Sequence, residues 1–428
     1  MTPEDIQRHK DELVERFRQQ LDAGWPAPGT DINDLEDFGA RLGRTIQEEI
    51  SERVLPAEAE RKDGNQVGCP CGGRASYQRH HELTLVTLAG RVRVRRPYYH
   101  CAACKKGQCP ADTRLRLGAG HTTPAAQAQL ALLSALVPYG QVGDLLSPLG
   151  LPLTLDLKQT ERVAQGVGKQ LQDASLVPYG PTTQTVAVGF DGVMLPTREG
   201  KKEARVGVIY EPDREAGRTQ AAAGGLRTEY CATTGSRASL VREVCARASA
   251  RAGGQVVAVV ADGAALDWVD LDAYLPSRVE ILDFYHVLER VGEIAPLLHP
   301  EAAAAAAWRE AMRGELEDWG PRKLLETLRE WAPTTAAGHE MRRVQLGYFE
   351  KQQDRMRYPE YRRRGFPIGS GAVEGACKHV VCERFGRSGM YWKRETAEPV
   401  LRLRAALLTQ PRLDLRPFAA LKGTAAPL

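Results

Sequence analysis

The sequence predicts a multidomain protein organised around an α/β core, and three observations carry that expectation. Three consecutive candidate strands followed by alternating helix and strand occupy residues 184–287. A cysteine-rich stretch precedes them, and the stretch from Val287 to Tyr361 that follows reads almost entirely as helix. A chain of 428 residues also exceeds what one hydrophobic core usually covers. The expected divisions are 1–60 (acidic, helical), 61–118 (basic, zinc-ribbon-like), 119–180 (helical), 181–287 (first part of the core), 288–365 (helical insertion), 366–410 (last part of the core) and 411–428 (tail).

Residues 1–60 carry 15 acidic against 7 basic side chains, net −8. Thr2 as N-cap with Pro3 in the first turn predicts one helix, and a second is expected from about Asp34 to Arg53. Ile6, Leu13, Phe17 and Leu21 recur at helical spacing, so this stretch reads as a packing or oligomerisation element, and its acidity argues against DNA contact. No basic-then-apolar leader opens the sequence and no apolar run approaches a membrane span, so a cytoplasmic protein without a membrane partner is expected.

Five of the nine cysteines lie between Cys69 and Cys109, a density that suggests a metal site rather than a disulfide framework. Cys69-Pro-Cys71-Gly-Gly and Cys101-Ala-Ala-Cys104 flank alternating residues Leu83, Leu85, Thr87, Val92 and Val94. Two cysteine pairs joined by a hairpin can deliver four thiolates to a structural Zn2+. The first pair is Cys-x-Cys rather than Cys-x-x-Cys, which leaves Cys109, His100 or His80 as alternative ligands, and reduced cysteines on a small β-domain as the plainer reading. Helices at about 124–137, 139–147 and 155–175 follow. They suit a helix-turn-helix DNA reader or a spacer; Lys158, Arg162 and Lys169 are a thin basic face for the former.

In the core, strands are expected at Thr185–Leu195, Glu203–Glu211, Arg227–Thr233, Gln255–Ala261 and Val279–Asp283, with helices at about Ser236–Arg251 and Leu266–Tyr274. That order is ribonuclease H-like, although periodicity alone does not separate it from other α/β sheets. Asp191 lies in the first strand (Val-Gly-Phe-Asp-Gly-Val) and Asp262 at the end of the fourth (Val-Val-Ala-Asp-Gly-Ala). Either could simply begin a turn. In a ribonuclease H-like sheet the two strands are neighbours, so both carboxylates would face one point, and a metal ion would offset the cost of desolvating them. Two-metal phosphoryl transfer needs a third acid. Glu374, in Phe366-Pro-Ile-Gly-Ser-Gly-Ala-Val-Glu374, is the candidate, on a helix that Ser370 can cap; Lys378, one turn on, could pair with it or touch phosphate. Neither a P-loop nor a dinucleotide fingerprint is present. Trp308, Trp319 and Trp331 of the insertion read as core residues. Residues 61–116 are net +9 and 341–394 net +8, a segregation that points to phosphate backbones.

These features together resemble the DDE transposases of bacterial insertion sequences, specifically the ISKra type akin to Mutator-like elements. The resemblance rests on the cysteine pairs, Gly-Phe-Asp191-Gly, Ala-Asp262-Gly, Asp283-Phe-Tyr-His286, the helical insertion, Pro367-Ile-Gly-Ser-Gly-Ala-Val-Glu374 and Arg384-Phe-Gly-Arg-Ser-Gly-Met-Tyr-Trp392. It implies that Asp191, Asp262 and Glu374 bind two Mg2+ (or Mn2+) ions, with water and then a DNA 3′-hydroxyl as nucleophiles. It also implies double-stranded DNA as partner, terminal inverted repeats bound by at least a dimer, and a nucleoid-associated enzyme. His286 would contact the scissile phosphate, or Asp283 would merely cap a helix. Lys378, Arg384, Arg387, Lys393 and Arg394, interleaved with Tyr391 and Trp392, would bind DNA by backbone contact and base stacking. The Cys-x-Cys pair departs from the pattern and leaves the zinc ligand set open. Two other readings remain: a zinc-containing DNA-binding regulator without catalysis, and a ribonuclease H-like nuclease that only hydrolyses.

Overall fold

The computed structural model describes residues 3–117, 121–146, 148–149, 151–153, 155–173, 180–212, 227–263, 271–410 and 414–419. They divide into two units, Met1–Asp173 with Asp414–Leu428, and Ala174–Leu413. Thr2 and much of the helix expected near Leu266–Tyr274 lie outside the described residues.

The first unit opens with α1 (Pro3–Gly24) and α2 (Ile32–Glu49), the latter capped by Asp31, whose carboxylate accepts from the Asp34 N–H at 3.0 Å. The helix does not stop near Arg53 as expected. A π-turn at Ile50–Val54 leads into α3 (Leu55–Glu60), which covers one face of an antiparallel sheet. That sheet runs in sequence order: β1 (Gln66–Gly68), β2 (Arg74–Thr87), β3 (Gly90–Cys101) and β4 (Gly107–Gln108). Strict alternation sets its two faces. Leu83, Leu85, Val92 and Val94 point into a cluster with Ala59 and Leu117, and Arg91, Arg93 and Arg95 point out. After α4 (Pro110–Arg114), a second cluster forms from α5 (Pro124–Leu136), α6 (Tyr139–Leu146) and α7 (Leu157–Asp173). Val163 and Val167 of α7 are buried, while Lys158, Arg162 and Lys169 lie outside. Residues 411–428 were expected as a tail, yet Leu415 and Ala419 are buried and the turn Arg416–Ala419 packs on α5 and α7.

The second unit holds a five-stranded sheet of β5 (Val186–Thr197), β6 (Gly200–Tyr210), β7 (Glu229–Thr233), β8 (Val257–Ala261) and β9 (Arg278–Leu282), in the order β7-β6-β5-β8-β9. β5, β6 and β7 are antiparallel, whereas β8 and β9 run parallel to β5. Helix α8 (Arg237–Ala252) supplies the crossover before β8 and packs Leu240, Val241, Val244 and Cys245 on Val186, Val188 and Phe190. It approaches closely because residue 207 is glycine: a Cβ there would stand 2.4 Å from Val244 Cγ2.

Beyond β9 come α9 (Phe284–Leu298), α10 (Ala302–Trp319), α11 (Arg322–Glu330), α12 (Ala336–Gln352) and α13 (Tyr358–Arg363). Their interior is Met312, Leu316, Leu324, Leu328 and Phe349. The tryptophans do not form it: Trp319 is 77% exposed, and Trp308 and Trp331 are half-buried. The chain then returns to the sheet through α14 (Gly371–Ala376), a π-turn (Cys377–Cys382), α15 (Glu383–Phe385) and α16 (Arg394–Leu408). The architecture is thus mixed α/β with two separate sheets. Among the described residues, no helix is long and apolar enough to cross a membrane.

Candidate functional site

The cysteines expected to hold zinc meet. The Sγ atoms of Cys69, Cys71, Cys101 and Cys104 all lie within 4.8 Å of one another, with Cys69–Cys104 at 3.6 Å and Cys71–Cys101 at 3.7 Å. Four thiolates placed tetrahedrally about Zn2+ at ~2.3 Å would stand about 3.8 Å apart, so the cluster fits a structural zinc ion. The Cys-x-Cys pair reaches the same point as a longer knuckle because Gly72 follows it with φ +85° and its N–H bonds the Cys69 carbonyl at 2.9 Å. The backbone N–H of Cys104 helps to pull the Cys101 thiol down to about 7, whereas at Cys69 the Cys71 N–H is outweighed by burial and the neighbouring thiols, which push it up to about 12. His80 is engaged with the Tyr77 hydroxyl at 2.9 Å, and neither His100 nor Cys109 joins the cluster.

In the second unit, the parallel pairing of β5 and β8 ends at Gly189–Val260, and Asp191 and Asp262 each lie two residues further along. The two acids are therefore level. β5 itself continues to Thr197, paired with β6, so Asp191 sits where β8 leaves its side rather than at the strand's end. Val188 and Phe190 face α8, which turns Asp191 to the opposite face. There it accepts from the Gly192 N–H at 2.6 Å and the Cys377 thiol at 3.6 Å. Burial raises its carboxyl pKa, those two donors oppose the rise, and the charges of Asp262 and Glu374 add to it. Three elements thus bring three carboxylates into electrostatic range.

Helix α14 reaches this face because of Gly189, whose position would put a Cβ 3.0 Å from Val373 Cβ. Glu374 is exposed and its Oε1 is 2.5 Å from Ser370 Oγ, which is also 2.6 Å from Asp283 Oδ2. Ser370 occupies the N-cap position, but its hydroxyl makes no capping bond and lies between these two acids instead. Asp283 is 4% exposed, caps α9 through the Tyr285 N–H at 3.0 Å, and receives the Ser370 N–H at 3.3 Å. Burial raises its pKa above the bonds that oppose it, and Glu374 adds to the rise. Among the described residues, the metal-sized grouping within 4.8 Å is the cysteine cluster; the three carboxylates stand further apart, with Glu374 turned to Ser370.

His286, in the first turn of α9, lies 3.4 Å from Glu289 and accepts from Arg290 at 3.2 Å. Lys378 is exposed and forms no ion pair with Glu374, whose carboxylate is turned to Ser370 at the other end of its helix. Of the basic and aromatic segment, Arg384 is 1% exposed with its guanidinium over Trp392, and Trp392, 7% exposed, packs on Phe385. Both are core residues and are withdrawn as DNA contacts. Arg387, Tyr391, Lys393 and Arg394 are exposed. Trp392 pins this segment to the end of β5, its N–H bonding the Pro196 carbonyl at 3.3 Å and its carbonyl receiving the Arg198 N–H at 2.9 Å.

Two residues beside the acids escaped sequence reading. Cys377 follows Glu374 on the same helix and was legible as a neighbour. Tyr348, from the helical insertion, donates to the Asp262 carbonyl at 2.7 Å and lies under Arg290, a juxtaposition that no local pattern encodes. Comparison of the sequence with protein-family models and with curated proteins returns no match in either.

Proposed function

We propose that this chain is a metal-dependent DNA strand-transferase of the DDE insertion-sequence type, with a ribonuclease H-like core carrying Asp191, Asp262 and Glu374. The observation that carries the reading is the half-buried Asp191, level with Asp262 and covered by the helix of Glu374, so that the charges of both other acids bear on it. The strand order β7-β6-β5-β8-β9, with the last two strands parallel to β5, supports it as well.

Bound Mg2+ or Mn2+ would supply Lewis acidity at the phosphorus and at the leaving oxygen. Asp191 and Asp262 are held in place by their strands, and Glu374 completes the set by rotating away from Ser370, leaving that hydroxyl to Asp283. Exposed Arg387, Tyr391, Lys393 and Arg394 grip the DNA backbone and bases alongside the end of β5, with Trp392 as their anchor. His286 is offered as a contact to the scissile phosphate. Water attacks that phosphate and breaks its bond to the 3′-oxygen; the freed 3′-hydroxyl then attacks a target phosphodiester, forming one P–O bond and breaking another. The bound sequences are terminal inverted repeats, and joining two ends calls for at least a dimer.

The test is Mg2+-dependent cleavage and joining of DNA bounded by the repeats that flank the gene. Asp191→Asn, Asp262→Asn and Glu374→Gln should each lose both activities and keep DNA binding. Retained joining by one variant removes that residue from the site. Cleavage without joining would favour a hydrolytic nuclease, and binding without cleavage a regulator.

A further inference from the structure

Behind Asp191, on the α8 face of the sheet, lies a cavity of about 160 Å³ walled by Phe190, Leu240 and Val241 and closed by Gly192, Glu203, Arg205 and Arg237. Its two arginines differ. Arg205 is spent, with one nitrogen on the Gly235 carbonyl at 2.8 Å and the other on Glu203 at 2.5 Å. Arg237 opens α8, and its Nη2 is buried without a hydrogen-bond partner. Buried donors are nearly always satisfied, and a guanidinium nitrogen left without an acceptor against an apolar wall costs more than a neutral donor would. Glu203 neutralises Arg205, and Asp191 borders the cavity from β5 with its carboxylate turned to the other face of the sheet, so the charge left over in the cavity is that of Arg237. Its natural complement is a small group carrying one negative charge and oxygen acceptors.

We propose that this cavity is a phosphate-binding subsite that takes one phosphodiester of a DNA strand running past Asp191, with Arg237 as its ligand. The proposal rests on the strand-transferase reading above. That reading places a DNA strand at Asp191, and Asp191 itself borders the cavity. A planar guanidinium presents paired donors to phosphate oxygens, and the apolar wall excludes the water that would compete for them. The subsite lies across the sheet from Cys377 and Glu374, so it holds a phosphate other than the one being cut.

Binding is measured with Ca2+ in place of Mg2+, on a short duplex of the sequence that the wild-type protein cleaves and on the same duplex with single phosphates replaced by neutral methylphosphonates. Wild-type protein should lose about tenfold to a hundredfold in affinity at one phosphate that is not the scissile one, and Arg237→Gln should lose the same amount on the unmodified duplex. The variant should be indifferent to methylphosphonate at that position, and its salt dependence should fall by about one phosphate. Arg237→Lys should recover part of the affinity, and an unchanged melting temperature shows that the variants fold. If Arg237→Gln keeps the wild-type profile and salt slope, the subsite is refuted while the strand-transferase reading stands. If inorganic phosphate binds in an Arg237-dependent way but the duplex profile is flat, the ligand is a free anion and the DNA assignment is wrong. If wild-type protein cleaves no DNA with Mg2+, the reading beneath the proposal fails.

Discussion

Burial puts a desolvation cost on the carboxylates of Asp191 and Asp283 that their hydrogen bonds only partly offset. Both have raised pKa values, chiefly through burial. The native protein therefore holds their protons at pH values where the unfolded chain, near 3.9, has released them. Stability from the protonated forms is present at acid pH and is lost as pH rises through the raised folded values. Measured against Asp191→Asn, metal-free protein should consequently lose stability between mild acid and neutral pH, and Mg2+ should restore the loss at neutral pH. Asp191→Asn should raise the metal-free melting temperature by about 2–4 °C, the shift that ~1 kcal/mol produces in a domain of this size, and abolish the response to Mg2+. Thermal melts across pH check this; an Asp191→Asn protein that melts lower without metal would show that the carboxylate is structural. Gly189 makes the second prediction at this scale. Alanine there would press on Val373 and lift α14, costing about 1–3 kcal/mol. Cleavage should drop more than stability alone explains, because the displaced helix carries Glu374; a Gly189→Ala enzyme with full activity contradicts the close approach.

At the level of elements, the β2–β3 hairpin depends on what closes its ends. Cys69 and Cys71 precede β2, Cys101 ends β3, and Cys104 follows it, so one ion would tie both strands at one end. Purified protein is expected to hold about one zinc per chain, and chelation should speed hydrogen exchange in β1, β4 and the cysteine end of the hairpin more than in β5–β9. Metal analysis showing no zinc, with exchange unaffected by chelator, opposes that. The hairpin also shows what sequence could convey. Alternation of Val92 and Val94 with arginines marks a strand without reference to anything distant, and the same holds for the apolar runs of β5 and β8. Where tertiary partners decide, the text is silent. Arg384 and Trp392 look like surface groups in a basic stretch, but both are buried, with the guanidinium of one over the ring of the other. Ser370 looks like a cap until Asp283, distant in sequence, claims its hydroxyl. Glu374 was readable as a motif, whereas the turn of its carboxylate towards Ser370, and so away from Lys378, was not.

For the whole molecule, a net charge of +4 hides strong segregation: an acidic helical start, a sheet with Arg91, Arg93 and Arg95 on its outer face, and a second unit whose exposed Arg387, Lys393 and Arg394 lie close in sequence to the pinned Trp392. Both basic regions suit contacts to phosphate, and the proposed chemistry belongs to the second unit. Everything proposed for that unit turns on whether Asp191, Asp262 and Glu374 hold metal together. Anomalous diffraction from crystals soaked in Mn2+ measures this most directly. Two peaks about 4 Å apart are expected, touched by carboxylate oxygens of all three residues, with Glu374 swung away from Ser370. Crystals in which Glu374 stays on Ser370 and no ion lies between Asp191 and Asp262 would contradict it.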